Sequence, residues 1–592
     1  MPPTRHNPCP SLSRIIEDCD ALDKSAQTFG GPVPAIGSFR LRRRWRRQRD
    51  RRHHAPHGAA YRSSHGAPTV PPTIPPVADV SEADALRLLE QSSFGPTDAS
   101  LAEVKRLGLA GFLDKQFAQP TTGYGTFPYL DGNSMVGCPA GSGSTCYRDN
   151  YTMFLLQHRF FQNAIAGPDQ LRQRAAFALS QILVASGMEV NQPYGMAPYQ
   201  HIMLNHAFGN FRDILNEVTL SPAMGDYLDM VNNDKPNPTR GTEPNENYAR
   251  EVMQLFSIGV WKLNPDGSQQ LDGHGAPIPA YDQEVVEGFA HALTGWTYPP
   301  RPGVASKWPN PRNYGARMVP FADRHDGGSK KLLDGKVLPA GQSPEQDLAA
   351  AVDSLFQHPN VGPFIGRQLI QHLTTSNPSP AYVGRVSAAF NDNGAGVRGD
   401  MKAVFRAILL DSEVRGDRKS EAGYGKLREP AVFAAGLVRT LGGRSDGGYL
   451  RSQTATMAQD VYAPASVFNY YPADYLVGGL QGPQFGIYNA STAFARANFV
   501  NALLAANGIS ADASVPASFG TKIEWGPWLT LAPDSGKLLD RINQLLFHGS
   551  MSEAMRGTIK QAVDAISVTD SYNRARTALY LAATSPQFQI QR

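Results

Sequence analysis

The chain has 592 residues, of which 41% are hydrophobic and 18% charged, with a formal net charge of +4. Length and apolar content together permit a sizeable buried core. The positive charge suggests a nucleic-acid partner until it is located. Residues 1–75 carry thirteen Lys or Arg and five Asp or Glu, so removing their +8 leaves about −4 over residues 76–592. A whole-protein electrostatic case for nucleic-acid binding is thereby excluded, and no nucleic-acid partner is expected.

The segment 1–80 reads as a disordered basic tail. Nine arginines fall between Arg40 and Arg52, His53, His54 and His57 follow, and a Pro-rich run closes the segment. Such a composition buries too little apolar surface to offset its ordering entropy. Two readings stand beside each other: a nucleic-acid-binding arm, or a non-native extension from a wrongly chosen start codon. No recognisable signal peptide is present, because no apolar stretch follows the Arg42–Arg47 run.

Cys9 and Cys19 lie in that tail. Cys138 and Cys146 bracket a short Gly/Ser-rich loop that can bring its ends together, so a local disulfide and an oxidising compartment are expected. The alternatives are two unpaired thiols, or a metal pair that lacks two further ligands nearby. No metal site is assigned, and the sequence does not identify a cofactor. Nowhere does the chain approach the roughly 20 consecutive apolar residues of a membrane-spanning helix.

The folded part opens at Ser81-Glu-Ala-Asp84, a helix start with a capping serine. Helical periodicity then recurs over 150–164, 170–185, 211–220, 247–258, 283–293, 344–356, 361–374, 380–391, 401–410 and 429–441. It returns over 490–505, 537–546, 551–565 and 571–583. Strand signals are confined to 275–280 and 335–339. The expected fold is therefore mainly α, one large multi-helix unit over 81–592 with long irregular loops and little β structure. Two Gly/Pro/Asn-rich stretches, 232–245 and 297–341, interrupt the helices and are candidate walls of a site.

Zinc-protease, P-loop, nucleophile-elbow and dinucleotide signatures are absent. His201 and His206 are five residues apart and face different sides of a helix. The densest polar cluster is Pro244-Asn-Glu-Asn-Tyr-Ala-Arg-Glu-Val-Met-Gln-Leu-Phe256. Glu246 and Arg250 are spaced to pair on one helix face, while Val252, Leu255 and Phe256 bury another. Either these charges form an ionic network that pins the preceding loop, or Glu246 or Glu251 is a general acid/base or metal ligand held by Arg250. Arg324-His-Asp-Gly-Gly-Ser-Lys330 offers His325 and Asp326 as a proton-transfer pair or a metal ligand pair and Lys330 as an anion contact, against a plain Asp-Gly-Gly turn. Trp296, after Gly295, is either a platform for a sugar ring or a core plug.

These motifs resemble the bacterial domain of unknown function 1800 family. The resemblance rests on residues 244–256, on 290–298 and on 325–330. It extends to Leu88-Leu-Glu-Gln-Ser-Ser-Phe-Gly-Pro96, Ala207-Phe-Gly-Asn-Phe-Arg212, Pro222-Ala-Met224, Tyr227-Leu-Asp229, Lys426-Leu-Arg-Glu-Pro430 and 459–471. The sequence departs from the family pattern at Gln254, His291 and Asp334. The resemblance implies an exported bacterial protein, periplasmic or secreted, encoded beside a sulfatase-like exported protein, with no established activity. The expectation is a central polar cleft that binds or hydrolyses an extracytoplasmic polymer such as a polysaccharide. Glu246, Glu251, Arg250, His325 and Asp326 would be catalytic, and Asp229, Asn245, Asn247, Trp296 and Lys330 would bind. The alternative is a non-catalytic assembly or scaffold protein that works with the sulfatase-like partner.

Overall fold

The computed structural model describes residues 80–592, apart from 417, 419, 420 and 422. The expectations for the basic tail, including Cys9 and Cys19, lie outside the described residues. As expected, Ser81 caps the first helix, α1 (Glu82–Ser92), its hydroxyl accepting the Asp84 N–H at 3.1 Å. Next come α2 (Asp98–Phe117), α3 (Ser134–Gly137), α4 (Cys146–Asn150), α5 (Phe154–Ala166), α6 (Gln170–Ser180), α7 (Pro193–His206), α8 (Phe211–Leu220) and α9 (Pro222–Tyr227). Beyond the first long loop stand α10 (Asn247–Gln254) and α11 (Gln283–Ala292). Beyond the second are α12 (Pro344–Gln357), α13 (Val361–Leu373), α14 (Pro380–Asn391), α15 (Met401–Leu410) and α16 (Ser412–Arg415). The closing portion holds α17 (Pro430–Thr440), α18 (Gly448–Thr456), α19 (Ala490–Leu503), α20 (Gly526–Leu531), α21 (Ser535–Phe547), α22 (Glu553–Asp564), α23 (Ser571–Thr584) and α24 (Pro586–Gln589).

Proline starts many of these helices rather than breaking them. Pro193, Pro222, Pro344, Pro380, Pro430 and Pro586 each occupy a first-turn position, where the fixed φ suits the helix and the missing N–H costs nothing. The described strands are two-residue pieces: β1 (Trp296–Thr297), β2 (Val319–Pro320), β3 (Lys330–Lys331), β4 (Val337–Leu338), β5 (Lys426–Leu427), β6 (Arg444–Ser445), β7 (Leu476–Val477), β8 (Leu480–Gln481), β9 (Thr521–Lys522) and β10 (Ile590–Gln591). They pair antiparallel as β1–β2, β3–β4, β5–β10, β6–β9 and β7–β8. The protein is mainly α, and its apolar side chains from Ala85 to Phe588 form one contiguous core.

Close backbone approaches set the frame around the candidate residues. Gly95, at φ +131°, lies against α17, and a Cβ there would stand 2.9 Å from Gly436 Cα. Gly288 lets β3 lie directly on α11, because a Cβ would overlap the Lys331 carbonyl oxygen. The first long loop is stitched to the β1 region: Asn232 N–H donates to Trp296 O at 2.7 Å and Gly295 N–H donates to Asn233 O at 2.8 Å. Lys235 N–H donates to Arg324 O at 3.0 Å, which ties the same loop to the second one.

Candidate functional site

Helix α10 begins where Asn245 turns the chain. The Asn233 side chain clips this point from both sides, donating to Asn245 O at 3.0 Å and accepting Asn245 N–H at 2.8 Å. Asn245 Oδ1 then accepts the Asn247 N–H at 2.8 Å, and the Asn247 amide donates to Asp229 Oδ2 at 3.3 Å. Asp229 itself sits at φ +58°, an uncommon conformation for a residue with a side chain.

Glu246 and Arg250 pair across one turn at 2.6 Å. Gln283, at the start of α11, completes the group by donating to both Glu246 oxygens at 3.0 Å and accepting from Arg250 at 3.2 Å. Glu246 is thus occupied on both oxygens. The pair is 33–41% exposed and contributes little to stability by itself.

Glu251 is the contrasting carboxylate. One residue further along α10 it turns toward the interior, and its Oε2 is buried without a hydrogen-bond partner. Burial pushes its carboxyl above the usual range, with Arg250 acting in the opposite direction. Tyr227 feels both Glu189 and Glu251 in addition to burial, and its hydroxyl is raised accordingly. Burial, then Asp229 and Asp226, raise Glu189 as well. The four carboxylates therefore share one neighbourhood around Tyr227. Asp226 is engaged there, accepting from the Tyr314 hydroxyl and pairing with Arg312 at 3.2 Å.

The second motif turns inward instead. His325 Nε2 lies 2.9 Å and Lys330 Nζ 2.7 Å from the same oxygen, Asp347 Oδ2 on α12, and all three side chains are at most 2% exposed. Lys330 also donates to Asp326 O at 2.5 Å and Gly328 O at 2.7 Å, so its ammonium is saturated. His325 and Lys330 consequently do not meet Glu246 or Glu251. A buried cation must be paired, and the partner comes from α12, which the motif alone does not reveal. Asp326 points the other way and pairs with His291. Gly328 N–H and His291 hold the Asp326 carboxyl below the usual range against the opposing effect of burial.

The two groups sit at opposite ends of α11, Gln283 serving Glu246 and His291 serving Asp326. Eight residues of helix separate them, about 12 Å. Trp296 is 4% exposed within β1, where it lines the core and offers no open platform. Among the described residues, no group of three or more His, Cys, Asp or Glu is placed to hold a metal ion. Cys138 and Cys146 form a disulfide with their Cα atoms 5.8 Å apart. The Met135, Val136 and Tyr147 side chains beside it are 78, 61 and 54% exposed.

Sequence reasoning missed a third constellation, at the middle of the molecule. Glu429, Lys426 and Arg174 are fully buried, and His372 nearly so. Glu429 Oε2 accepts from Gln181 at 3.0 Å, Gln459 at 2.8 Å and the Tyr471 hydroxyl at 3.0 Å. Burial pulls the Lys426 ammonium down to about 7, with Glu429 acting against it, and pulls His372 down to about 4. Burial works to raise Glu429, but Lys426, Arg174 and His372 hold it below the usual carboxylate range. The neighbouring Arg428 pairs with Glu90 of α1 and donates to Phe588 O and Ile590 O beside β10. The only sequence-level signal was the run Lys426-Leu-Arg-Glu-Pro430, with three charges in a segment otherwise rich in apolar residues.

This architecture defines a large helical protein with a charged interior, a disulfide-closed surface loop and a carboxylate-rich face beside α10. Residues 87–590 match the family described as Protein of unknown function (DUF1800), and the chain belongs to that family. No curated protein and no solved structure matches it. Among the described residues, no helix is long and apolar enough to cross a membrane.

Proposed function

We propose that this protein works outside the cytoplasm, periplasmic or secreted, and binds or hydrolyses an extracytoplasmic polymer such as a polysaccharide at the face around Glu251. One observation carries the reading: Glu251 combines a raised carboxyl with a buried, unpartnered oxygen beside Tyr227. A carboxyl raised by burial holds its proton to higher pH than a free one, which suits donation to a leaving oxygen. Asp229, oriented by Asn247, is the second carboxylate, and paired carboxylates are the usual equipment for glycosidic cleavage. Glu246, Arg250 and Gln283 brace the start of the helix that presents Glu251. The Cys138–Cys146 disulfide supports the extracytoplasmic setting.

The test is a panel of bacterial and plant polysaccharides, read by affinity electrophoresis for binding and by release of reducing ends for cleavage. Glu251→Gln is expected to abolish cleavage while Glu246→Gln retains it. Cleavage that survives Glu251→Gln would sink the catalytic reading. Absence of binding to every polymer tested would sink the polymer itself.

A second reading is a non-catalytic assembly protein acting with a sulfatase-like exported partner. It is favoured by the closure of Glu246 within its own network and by the apolar side chains exposed around the disulfide loop. Co-purification with the co-encoded partner, lost on Met135→Ser with Val136→Ser, would support it. Indifference of that co-purification to the double substitution would count against it.

A further inference from the structure

A second accessible group borders the carboxylate face. The segment 129–132 is fastened there by its backbone: the Gln192 amide at the start of α7 donates to Leu130 O at 3.2 Å, and the Tyr151 hydroxyl donates to Asp131 O. A Cβ on Gly132 would stand 3.6 Å from Arg312 Cδ. Arg312 in turn pairs with Asp226, one of the four carboxylates gathered around Tyr227. The segment therefore lies along the same face as Glu251.

Tyr129 is anchored in this segment with its ring in the open. The buried Tyr194 ring meets it at 90° with centroids 5.4 Å apart, an arrangement that the ring quadrupoles favour. Tyr194 is itself fixed, its hydroxyl donating to Asn313 Oδ1 and accepting the Tyr314 N–H. Yet 43% of Tyr129 faces solvent. Arg301, from the second long loop, lies 5.4 Å from the Tyr129 ring centroid. Its carboxylate neighbour is Asp131 at 3.7 Å, beyond the roughly 2.7–3.2 Å of a direct hydrogen bond. Among the described residues this guanidinium donates to no acceptor, and both charged side chains are about one-third exposed.

The group thus offers an aromatic face and, next to it, a planar fork of unengaged N–H donors. The first takes a flat apolar surface edged with C–H bonds, and the second takes a carboxylate through paired hydrogen bonds. A sugar ring that bears a carboxyl group carries both features on one rigid frame. A neutral sugar would leave the guanidinium unmatched, and an apolar protein surface would desolvate it. We propose that Tyr129 and Arg301 form a subsite for a uronic acid residue of an acidic polysaccharide, the ring stacking on Tyr129 and its carboxylate pairing with Arg301. The proposal rests on the polymer reading of the Glu251 face and narrows it to an anionic chain, bound beside the cleavage centre. Asp131 is an acceptor for hydroxyls of the same ring. The next carboxylate along the face, Asp226, is already neutralised by Arg312.

The experiment is affinity electrophoresis of the full chain against polygalacturonate, polymannuronate and polyglucuronate, each beside its carboxyl-reduced form, with polyglutamate as an anionic peptide. The expected result is binding to at least one acidic polymer and about tenfold weaker binding to its reduced form. Arg301→Gln is expected to weaken the acidic polymer about ten- to a hundredfold and to erase the difference between the two forms. Tyr129→Ala is expected to weaken both forms, and Tyr129→Phe, which keeps the stacking face, to weaken neither. Acidic and reduced forms bound alike, or a preference that survives Arg301→Gln, would overturn the subsite while leaving polymer binding at the face intact. Polyglutamate bound as tightly, with the same dependence on both residues, would overturn the sugar in favour of an anionic peptide. Absence of binding to every acidic polymer also overturns the subsite, and neutral polysaccharides then decide whether the polymer reading falls with it.

Discussion

Arg174 on α6 and Glu429 at the start of α17 face each other across 3.8 Å with both side chains wholly removed from solvent. Residues 255 positions apart in sequence thus share one interior charge centre, joined by Lys426 and His372. Stability is accordingly tied to proton uptake at the middle of the fold rather than at its surface.

Lys426 fixes the alkaline side of that dependence. Burial brings its ammonium to about 7, against about 10.4 in an unfolded chain. Between those values the unfolded chain holds more protons, so this residue makes the protein more stable as pH rises from about 7 to about 10. Lys426→Met removes the contribution. Thermal melting at closely spaced pH values is expected to show a flatter profile for the variant over that window.

His548 acts on the acid side. Burial lowers it to about 4, with Glu90 opposing, while an unfolded histidine titrates near 6.5. The unfolded chain gains protons first as pH falls, so stability is lost progressively from about 6.5 down to about 4. His548 occupies a left-handed position, φ +53°, which asparagine tolerates without carrying a titratable group. His548→Asn is expected to blunt the acid loss, measured as the midpoint of denaturant unfolding at pH 7 and at pH 4.5.

Asp347 tests the second motif. Removing its carboxylate by Asp347→Ala leaves His325 and Lys330 buried without an anionic partner. The expected cost is about 3–5 kcal/mol, by equilibrium urea unfolding, as for other broken buried ion pairs. A change below about 1 kcal/mol would mean that solvent reaches these groups.

The disulfide gives a local test. Closing a loop with eight residues of separation stabilises by no more than about 2–3 kcal/mol in the chain-entropy account. Cys138→Ser with Cys146→Ser is expected to leave the melting of the core nearly unchanged while chymotryptic cleavage at Tyr147 accelerates. Loss of the whole fold would show that the loop braces the core.

Much of the helical architecture was legible because its signals are local. Ser81 announces a helix by a hydrogen bond to a residue three positions on, and the 247–258 stripe shows its buried face within about three turns, although the helix itself ends at Gln254. The Glu246–Arg250 pair and the Cys138–Cys146 bridge have the same short range. Helix α7 is absent from the predicted periodic stretches because Pro193, Gly195 and Pro198 look like breakers, although Pro193 starts the helix and burial secures the rest. Predicted helix 170–185 stops at Ser180, and Gln181 instead donates to Glu429 and accepts from the Tyr471 hydroxyl. The site was less legible for a reason of distance. Nothing in Arg324–Lys330 reveals Asp347, and nothing in Lys426–Pro430 reveals Arg174, His372, Gln459 or Tyr471. Charged residues declare where they need a partner, not which distant segment supplies it.

The pairing of β10 with β5 also makes the charged interior depend on residues far along the chain. Arg428 takes carbonyl partners from Phe588 and Ile590, and Gln591 inserts beside Leu373, donating to its carbonyl at 2.7 Å. Without residues 588–591, Arg428 would keep Glu90 but lose two carbonyl acceptors, and β5 would lack its mate. The charged interior is therefore complete only when residues 588–591 are in place.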